Sequence, residues 1–245
     1  MIYIDKSFVE EPSDLKEYIE AQTTNQLALS YRSMPKEGVR AALFKAQGGL
    51  CCYCMNTIGK DNSSIEHFLP QKQAENYQVA FHNLFLACKY SEGKGKGEDI
   101  QHCDKRKGDK LIPNYLSSKD CASYFAYNLS AGEILPRILT IDGKPNWERQ
   151  EKFASVQDCQ KRFSELSDVQ QMVLVTIETL NLNSRLLTAQ RKKYGKKLLP
   201  ILISAGHDTL VKMRQKTEKR QNDMWEKFVG IKRYFLDQRI HSLQS

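Results

Sequence analysis

The residues with the most chemical potential lie between positions 50 and 110. Three of the chain's seven cysteines crowd into the stretch Cys51-Cys52-Tyr53-Cys54, and a Glu66-His67 pair follows. An apolar run then ends in Cys88, and Cys103-Asp104 opens the basic stretch CDKRKGD. These residue types indicate two kinds of chemistry: metal binding by thiolates, and proton transfer between a carboxylate, an imidazole and a substrate.

The Cys51-x-x-Cys54 spacing is that of a zinc-binding loop. A structural zinc takes four soft ligands, normally from two short loops that each carry a pair. Two intervening residues let the chain reverse so that both sulfurs face one ion. Cys52 and Cys54 are too close in sequence for that reversal. We therefore predict that Cys51 and Cys54 bind zinc and that Cys52 does not.

The second half of such a zinc site is less clearly marked. Fourteen residues separate Cys88 from Cys103, and among them the Gly/Lys-rich stretch 91–99 is predicted to be a flexible loop. If that stretch is an insertion, both thiols complete the site, since each doubling of loop length costs only about 0.6 kcal/mol. Spacing alone is equally compatible with buried free cysteines. Cys121 and Cys159 lie in apolar or helical context and are predicted to be core residues.

Glu66 and His67 lie at the end of a predicted short apolar strand, and Pro70 follows. Such a dipeptide on its own is also typical of an ordinary surface histidine. Phosphodiester hydrolysis requires a general base, a hard divalent cation and basic groups near the phosphate. His67, the carboxylates of Glu66 and Asp104, and the basic residues 105–107 could supply these parts.

The elements that must position these residues are mostly helical. Residues 13–23 and 35–46 predict helices, the second ended by Gly48-Gly49, and the alternation over 122–141 predicts a hairpin. Helical spacing recurs in four later segments: 156–166, 168–180, 183–199 and 209–243. We predict an α+β fold, mainly α-helical, with a small zinc-stapled module and a β-hairpin. The predicted divisions are an N-terminal helical lead (1–49), the metal-bound module (50–116), the hairpin (117–145) and a basic helical region (146–245).

The net charge of +8 is concentrated near the C-terminus. From Arg185 onward the chain has 15 Lys and Arg and 5 Asp and Glu, a net charge of +10, so the rest of the chain has a net charge of −2. This pattern indicates either a polyanion partner, such as nucleic acid, or a solvated face of surface helices. The segment 209–243 likewise predicts either a helix packed within its own bundle or one that docks a partner.

The compartment follows from the cysteines and the hydropathy pattern. The odd number of cysteines and the lack of an export signal lead us to expect a reducing compartment, the cytoplasm, where thiols hold metal more often than disulfides. No run approaches the roughly 20 apolar residues of a membrane span.

The combined pattern LCCYC…IEHFLP…NLFLAC…CDKRKGD resembles the zinc-stapled branch of the HNH endonuclease family, which has a ββα-metal fold. The matching positions are Cys51, Cys54, Glu66, His67, Asn83, Cys88, Cys103, Asp104 and Lys107. Glu66 stands where Asp is more usual and Asp104 where Asn or His is more usual, but both still offer oxygen to a hard ion.

The resemblance implies a role for each matched residue. His67 would be the general base, and Glu66 and Asp104, both in the active site, would bind one Mg²⁺ or Mn²⁺. Asn83 would hydrogen-bond across the ββ loop and fix the backbone that aims His67. The four cysteines would hold a structural zinc with no open position. The implied phosphate-binding residues are Arg106 and Lys107, while His102 and His82 are minor candidates beside Asp104 and Asn83.

Outside the module, the hairpin around Gly132 and the segment TIETLNLNSRLLTAQR (176–191) are similar to PtuB-like HNH proteins of Septu and certain retron anti-phage systems. The similarity spans roughly residues 36–195. It implies a DNA-cleaving nuclease that works with a PtuA-like ATPase and, in the retron case, with a reverse transcriptase and its msDNA. Two alternatives stay open: cleavage of RNA, such as tRNA of the infected host, and a zinc-stapled adaptor without catalytic activity.

Overall fold

The computed structural model describes residues 1–89, 101–140, 145–146 and 155–244. The predicted loop 91–99 therefore lies outside the described residues. The helices are α1 Ser13–Thr24, α2 Glu37–Gln47, α3 Asp104–Lys107, α4 Val156–Lys161, α5 Asp168–Thr179, α6 Arg185–Ser204, α7 His207–Lys216 and α8 Val229–Ser242. The strands are β1 Ser63–His67, β2 Leu84–Cys88, β3 Phe125–Asn128 and β4 Glu133–Pro136. This mixture of helices with two small sheets confirms the predicted α+β class.

A ββα unit carries the predicted active-site residues. Strands β1 and β2 pair antiparallel, with Ser63 opposite Cys88 and His67 opposite Leu84. The loop between them contains two short 3-10 turns, Glu75–Tyr77 and Phe81–Asn83. The single-turn helix α3 supplies Asp104 as its first residue.

The chain reverses tightly between α2 and β1, as the two glycines predict. Gly48 and Gly49 adopt left-handed backbone conformations, with φ of 56° and 71°. Residues with a Cβ rarely adopt such conformations. A Cβ on Gly49 would also lie 1.9 Å from Cε of Met224. The Cys51 N–H then donates to the Asn56 carbonyl at 2.8 Å, which closes the loop that carries the first cysteine pair.

The predicted hairpin is confirmed over residues 125–136, while the end of the predicted range, 141–144, lies outside the described residues. Its turn places Gly132 at a φ of 70°. A Cβ there would lie 2.2 Å from the carbonyl oxygen of Thr188, so α6 packs directly on the turn.

The prediction of one helical segment over 209–243 is wrong. Helix α7 ends at Lys216 and α8 begins at Val229, because Asn222 and Asp223 take left-handed conformations in the connecting turn. Asn and Asp tolerate that region better than other side chains. The Trp225 N–H donates to the Gly48 carbonyl at 2.9 Å, so the connection docks on the cysteine-bearing loop. The predicted helix over 156–166 is also shorter, and a 3-10 turn at Phe163–Glu165 follows it.

One cluster of buried apolar side chains joins the elements. It includes Leu15 of α1, Phe125 of β3 and Leu236 of α8, together with the predicted core residues Cys121 and Cys159, which are fully buried. The interpretation of α8 as a helix packed within the protein is consistent with its contacts to α6, α7 and β3. The predicted division boundaries stay a prediction. Within the described residues, none of the helices has the length and apolar character needed to cross a membrane.

Candidate active site and metal centre

The four cysteines of the predicted zinc site converge in space. The sulfur atoms of Cys51, Cys54, Cys88 and Cys103 all lie within 4.8 Å of one another. All four side chains are buried, and the most exposed, Cys88, is only 8% exposed. The 14-residue separation of the second pair is therefore closed by the fold, since Cys88 ends β2 and Cys103 precedes α3.

The spacing of the sulfurs suits a tetrahedral ion. The Cys54 and Cys88 sulfurs are 3.6 Å apart, and those of Cys51 and Cys103 are 3.8 Å apart. Zinc–sulfur bonds of about 2.3 Å put tetrahedral ligands about 3.8 Å from one another, whereas a disulfide needs about 2.05 Å. Burial and the neighbouring thiols raise the pKa of Cys103 well above its usual value. Because the thiols would ionise together only around a cation, the cluster could hold a structural metal such as zinc.

A buried arginine lies beside these thiols. The Nη1 of Arg191 donates to the Gly132 carbonyl at 3.1 Å, but its Nε and Nη2 have no hydrogen-bond partner within the described residues. Burial lowers the pKa of Arg191, and the nearby Cys54 and Cys103 thiols oppose that shift. An unpaired buried guanidinium is costly. Four thiolates around a divalent ion carry two net negative charges, one of which this guanidinium would offset.

The sequence around Arg191 anchors the cysteine site and the hairpin to each other. The Asn181 side chain donates to the Gln101 carbonyl at 2.8 Å. The Asn183 side chain pairs with both the N–H and the carbonyl of Ile134, at 2.8 and 2.9 Å. In the sequence, this LNLN stretch is recognisable only as a family likeness. Its paired asparagines were the signal that could have indicated an anchoring role.

Two carboxylates meet between β1 and α3. Ser64 and Glu66 point to the same face of β1, as strand alternation requires. The Ser64 hydroxyl donates to Asp104 Oδ2 at 2.9 Å, and the carboxyl groups of Glu66 and Asp104 are close enough to share a hydrogen bond. Glu66 Oε1 also accepts from the Tyr53 hydroxyl and from the Lys107 ammonium, each at 2.8 Å.

The electrostatics of this pair favour a bound cation. Burial, reinforced by Asp104 and opposed by Lys107, raises the pKa of Glu66 to about 8. Two adjacent carboxylates resist ionising together unless a positive charge lies between them. Carboxylate oxygens are the ligands that Mg²⁺ and Mn²⁺ prefer, so the donor set fits a hard divalent cation.

His67 is held at the end of β1 with one ring nitrogen turned inward. Its Nε2 lies 2.8 Å from the Gln78 carbonyl and therefore carries the proton, which leaves Nδ1 as the acceptor. The exposed Gln71 amide donates to Nδ1 at 3.3 Å. The pKa of His67 is lowered, mainly by burial. Lys107 lowers it further, while the Gln78 contact and Asp104 oppose the shift. The base form is thus favoured, and its Nδ1 lies next to the amide of the exposed Gln71.

Asn83 ties together the two ends of the ββ loop. Its side-chain oxygen accepts from the Leu69 N–H at 2.7 Å, and its amide donates to the carbonyls of Leu69 and Tyr77 at 3.1 Å each. The Phe68 N–H donates to the Asn83 carbonyl at 2.9 Å. These bonds fix the backbone immediately after His67.

The Lys107 ammonium does not point outward, as the implied phosphate-binding role would require. It is only 1% exposed, and its ammonium contacts Glu66 and the His67 carbonyl, each at 2.8 Å. The ammonium therefore faces the other functional groups and not a phosphate in solvent, because the short α3 directs it inward. Arg106 is half-buried on the same turn, and Lys105 is exposed.

The minor candidates lie outside the carboxylate site. His102 is buried with Nδ1 at 3.2 Å from the Cys103 sulfur, so it lies beside the thiols. His82 is exposed, and its ring packs edge-on against Tyr77. Cys52 is buried but does not belong to the four-sulfur cluster.

Sequence comparison relates this chain to a known protein. No protein-family model matches the chain. The chain is 26% identical over 205 residues to "Retron Vc95 putative HNH endonuclease" from Vibrio cholerae serotype O1 biovar El Tor. The alignment covers 80% of this chain and 84% of that protein. This relative supports an HNH endonuclease relationship for the chain, at the level of the family.

Proposed function

We propose that this chain is a metal-dependent HNH endonuclease that hydrolyses phosphodiester bonds of DNA. The observation that carries the proposal is the convergence of Glu66, His67 and Asp104 on one ββα unit. The name of the Vibrio cholerae relative supports the same activity class. A zinc on the four cysteines has a structural role here, because every ligand position would be filled by protein.

His67 is the proposed general base. Its Nε2 proton is committed to the Gln78 carbonyl, so Nδ1 is free to take a proton. A water that replaces the Gln71 amide at Nδ1 would lose its proton to the imidazole. The water oxygen would then attack phosphorus, and the bond from phosphorus to the leaving oxygen would break.

Glu66 and Asp104 are the proposed ligands of Mg²⁺ or Mn²⁺. When bound, such a cation supplies Lewis-acid stabilisation of the charge that develops on the phosphate and the leaving oxygen. Lys107 balances the buried charge of Glu66 and holds the His67 carbonyl in place. Arg106 is proposed to contact a neighbouring phosphate.

Replacing Asp104 by alanine tests this assignment, since the change removes the oxygen ligand altogether. We expect Mn²⁺ affinity, measured by calorimetry, to fall at least about tenfold. Cleavage should fall by about 100-fold or more, since a bound ion is worth several kcal/mol in the transition state. Asp109→Ala is the matched control, because Asp109 is an exposed carboxylate paired with Lys72. Unchanged Mn²⁺ binding and cleavage in Asp104→Ala would refute the metal assignment.

We further propose that the chain acts in an anti-phage system of the Septu or retron type, with a PtuA-like ATPase. This role is supported by the similarity of segment 176–191 to PtuB-like proteins and by the retron in the name of the Vibrio cholerae relative. In the retron case a reverse transcriptase and its msDNA would be further partners. The same chemistry could act on RNA, because the proposed mechanism involves the phosphate and not the sugar. Incubation with duplex DNA, single-stranded DNA and total RNA separates these substrates, and no cleavage of any would favour an inactive adaptor.

Part of the basic C-terminal charge lies on one face of α6. Four lysines are exposed there, and none forms an ion pair with any described residue. They are Lys192, Lys193, Lys196 and Lys197. The sequence of α6 contains no Asp or Glu. We propose that this lysine face contacts the phosphate backbone of the substrate.

Reversing two charges tests the lysine face. For Lys192→Glu/Lys196→Glu we expect DNA affinity to fall at least about tenfold and its salt dependence to weaken by about two units of slope. Lys16→Glu/Lys119→Glu is the matched control, because it changes the net charge equally at exposed sites elsewhere. Unchanged DNA binding would refute the contact, and loss of ATPase binding alone would reassign the face to the partner.

A further inference from the structure

We propose that Tyr31 and Gln78 form a clamp that positions His67 for catalysis. The clamp makes residues 29–31, which precede the nuclease module predicted from sequence, part of the active site. This inference rests on the proposed function, in which His67 is the general base. Neither Tyr31 nor Gln78 belongs to the matched HNH pattern.

Gln78 joins His67 to the N-terminal segment through three hydrogen bonds. Its backbone carbonyl lies 2.8 Å from Nε2 of His67. Its side-chain amide donates to the Leu29 carbonyl at 2.8 Å, and its side-chain oxygen accepts from the Tyr31 N–H at 3.1 Å. The residue that sets the histidine tautomer is therefore itself held by the segment that carries Tyr31.

The Tyr31 ring closes the other side of the imidazole. The two ring centroids are 4.5 Å apart with an interplanar angle of 83°, an edge-to-face contact. The Lys36 ammonium lies 4.8 Å from the centroid of the Tyr31 ring, which holds that ring in turn. Tyr31 is half-buried and lies within electrostatic range of the carboxylates of Glu66 and Asp104.

This arrangement restricts His67 to one orientation. Rotating the imidazole by half a turn would break the bond from Nε2 to the Gln78 carbonyl and the contact of Nδ1 with the Gln71 amide. Tyr31 blocks the space through which the ring would rotate. A base held in one tautomer and one rotamer reacts faster than one that must first be oriented, and a misplacement of 1 Å can cost about 100-fold in rate.

A second tyrosine–histidine pair in the same loop shows what distinguishes the clamp. Tyr77 and His82 also meet edge-on, with centroids 5.5 Å apart. His82 is exposed, however, and no ring hydrogen bond to it is found within the described residues. Of these two histidines, His67 alone combines an aromatic wall with a ring nitrogen fixed by a tethered carbonyl.

Three variants of the full-length, zinc-loaded chain test the clamp. For Tyr31→Ala and Gln78→Ala we expect kcat to fall about 10- to 100-fold while KM changes less than about twofold, because orientation of the base and not substrate binding is lost. Tyr31→Phe should retain wild-type kcat, since the ring is kept. The kcat of the double variant should lie within about twofold of the kcat of the slower single variant, since both changes act through His67.

Nitrogen-15 NMR of the His67 imidazole supplies a readout independent of cleavage. We expect the wild type and Tyr31→Phe to show one tautomer, with the proton on Nε2, and both alanine variants to show a mixture. Tyr124→Ala is the matched control, because Tyr124 is also half-buried against an aromatic ring, that of Tyr115, away from His67. It should change neither the kcat nor the tautomer.

The clamp would be overturned by a Tyr31→Ala protein that keeps both the wild-type kcat and the single tautomer. It would equally be overturned if Tyr124→Ala reproduced the effects of Tyr31→Ala, since general destabilisation would then explain them. A wild-type protein that cleaves no nucleic acid would refute the proposed function instead, and the NMR comparison would still decide the clamp.

Discussion

Replacing His67 by alanine is expected to lower kcat/KM for nucleic-acid cleavage by about 100- to 10,000-fold, the usual contribution of a general base. The fold should survive, because the Lys107 ammonium contacts the backbone carbonyl of residue 67 and not its side chain. Zinc content should likewise be unchanged, since the imidazole is not part of the thiol cluster. Single-turnover cleavage with metal analysis on the same samples measures both quantities.

His82→Ala is the matched control for this change. His82 lies in the same ββ loop, but its side chain is exposed and touches only Tyr77 among the described rings. Its replacement should leave cleavage within about twofold of wild type, as expected for a surface position. Equal cleavage by wild type and His67→Ala would rule out His67 as the base.

The pH dependence of cleavage provides a second test of His67 as the general base. Burial lowers the pKa of His67, partly offset by its bond to the Gln78 carbonyl. The neutral imidazole is the active form, so the rate should be high above this lowered pKa and should fall as the pH drops through it. The midpoint of that fall should lie below the usual range for histidine, and His67→Ala should lack it.

Replacing Cys54 by alanine is expected to release the zinc and unfold the module around it. Structural zinc contributes about 10–16 kcal/mol of apparent binding free energy in small modules, comparable with the roughly 5–15 kcal/mol that stabilises a whole domain. The loss should spread to the C-terminal helices, because Trp225 and Phe228 bond to the backbone of Gly48 and Met55 beside the cluster. Zinc per chain and thermal unfolding measure the effect.

Cys52→Ala is the control from the same loop. The Cys52 thiol is buried, and burial together with Cys51 raises its pKa well above the usual value, so it remains a neutral side chain. Its replacement should keep the zinc and the cleavage activity and reduce the free energy of unfolding by about 1 kcal/mol. One zinc per chain in Cys54→Ala, or none in Cys52→Ala, would contradict the ligand assignment.

The parts of the site that sequence could predict are those fixed by local chemistry. The spacing of Cys51 and Cys54 and the double glycine before them require a tight reversal, and the structure has one. The pairing of Glu66 with Asp104 was implied by the family resemblance and not by spacing, since 37 residues separate them in the chain. The joining of Cys88 to Cys103 was left open by spacing, because only the fold decides whether the intervening stretch returns the chain.

The parts that sequence could not predict depend on contacts between distant segments. Lys107 turns inward because Glu66 and the His67 carbonyl meet there, which no helical periodicity records. The break between α7 and α8 arises where Trp225 docks on Gly48, although the apolar spacing continues through it. Tyr31 reaches His67 from outside the recognised motif, 36 positions earlier in the chain.

Cleavage of covalently closed circular DNA by the wild-type, zinc-loaded protein tests the proposed metal-dependent endonuclease activity most directly. We expect nicked or linear product when Mg²⁺ or Mn²⁺ is added, and intact circles when the divalent cation is omitted while zinc remains bound. Intact circles at every Mg²⁺ and Mn²⁺ concentration, with zinc present and the ATPase partner supplied, would contradict it.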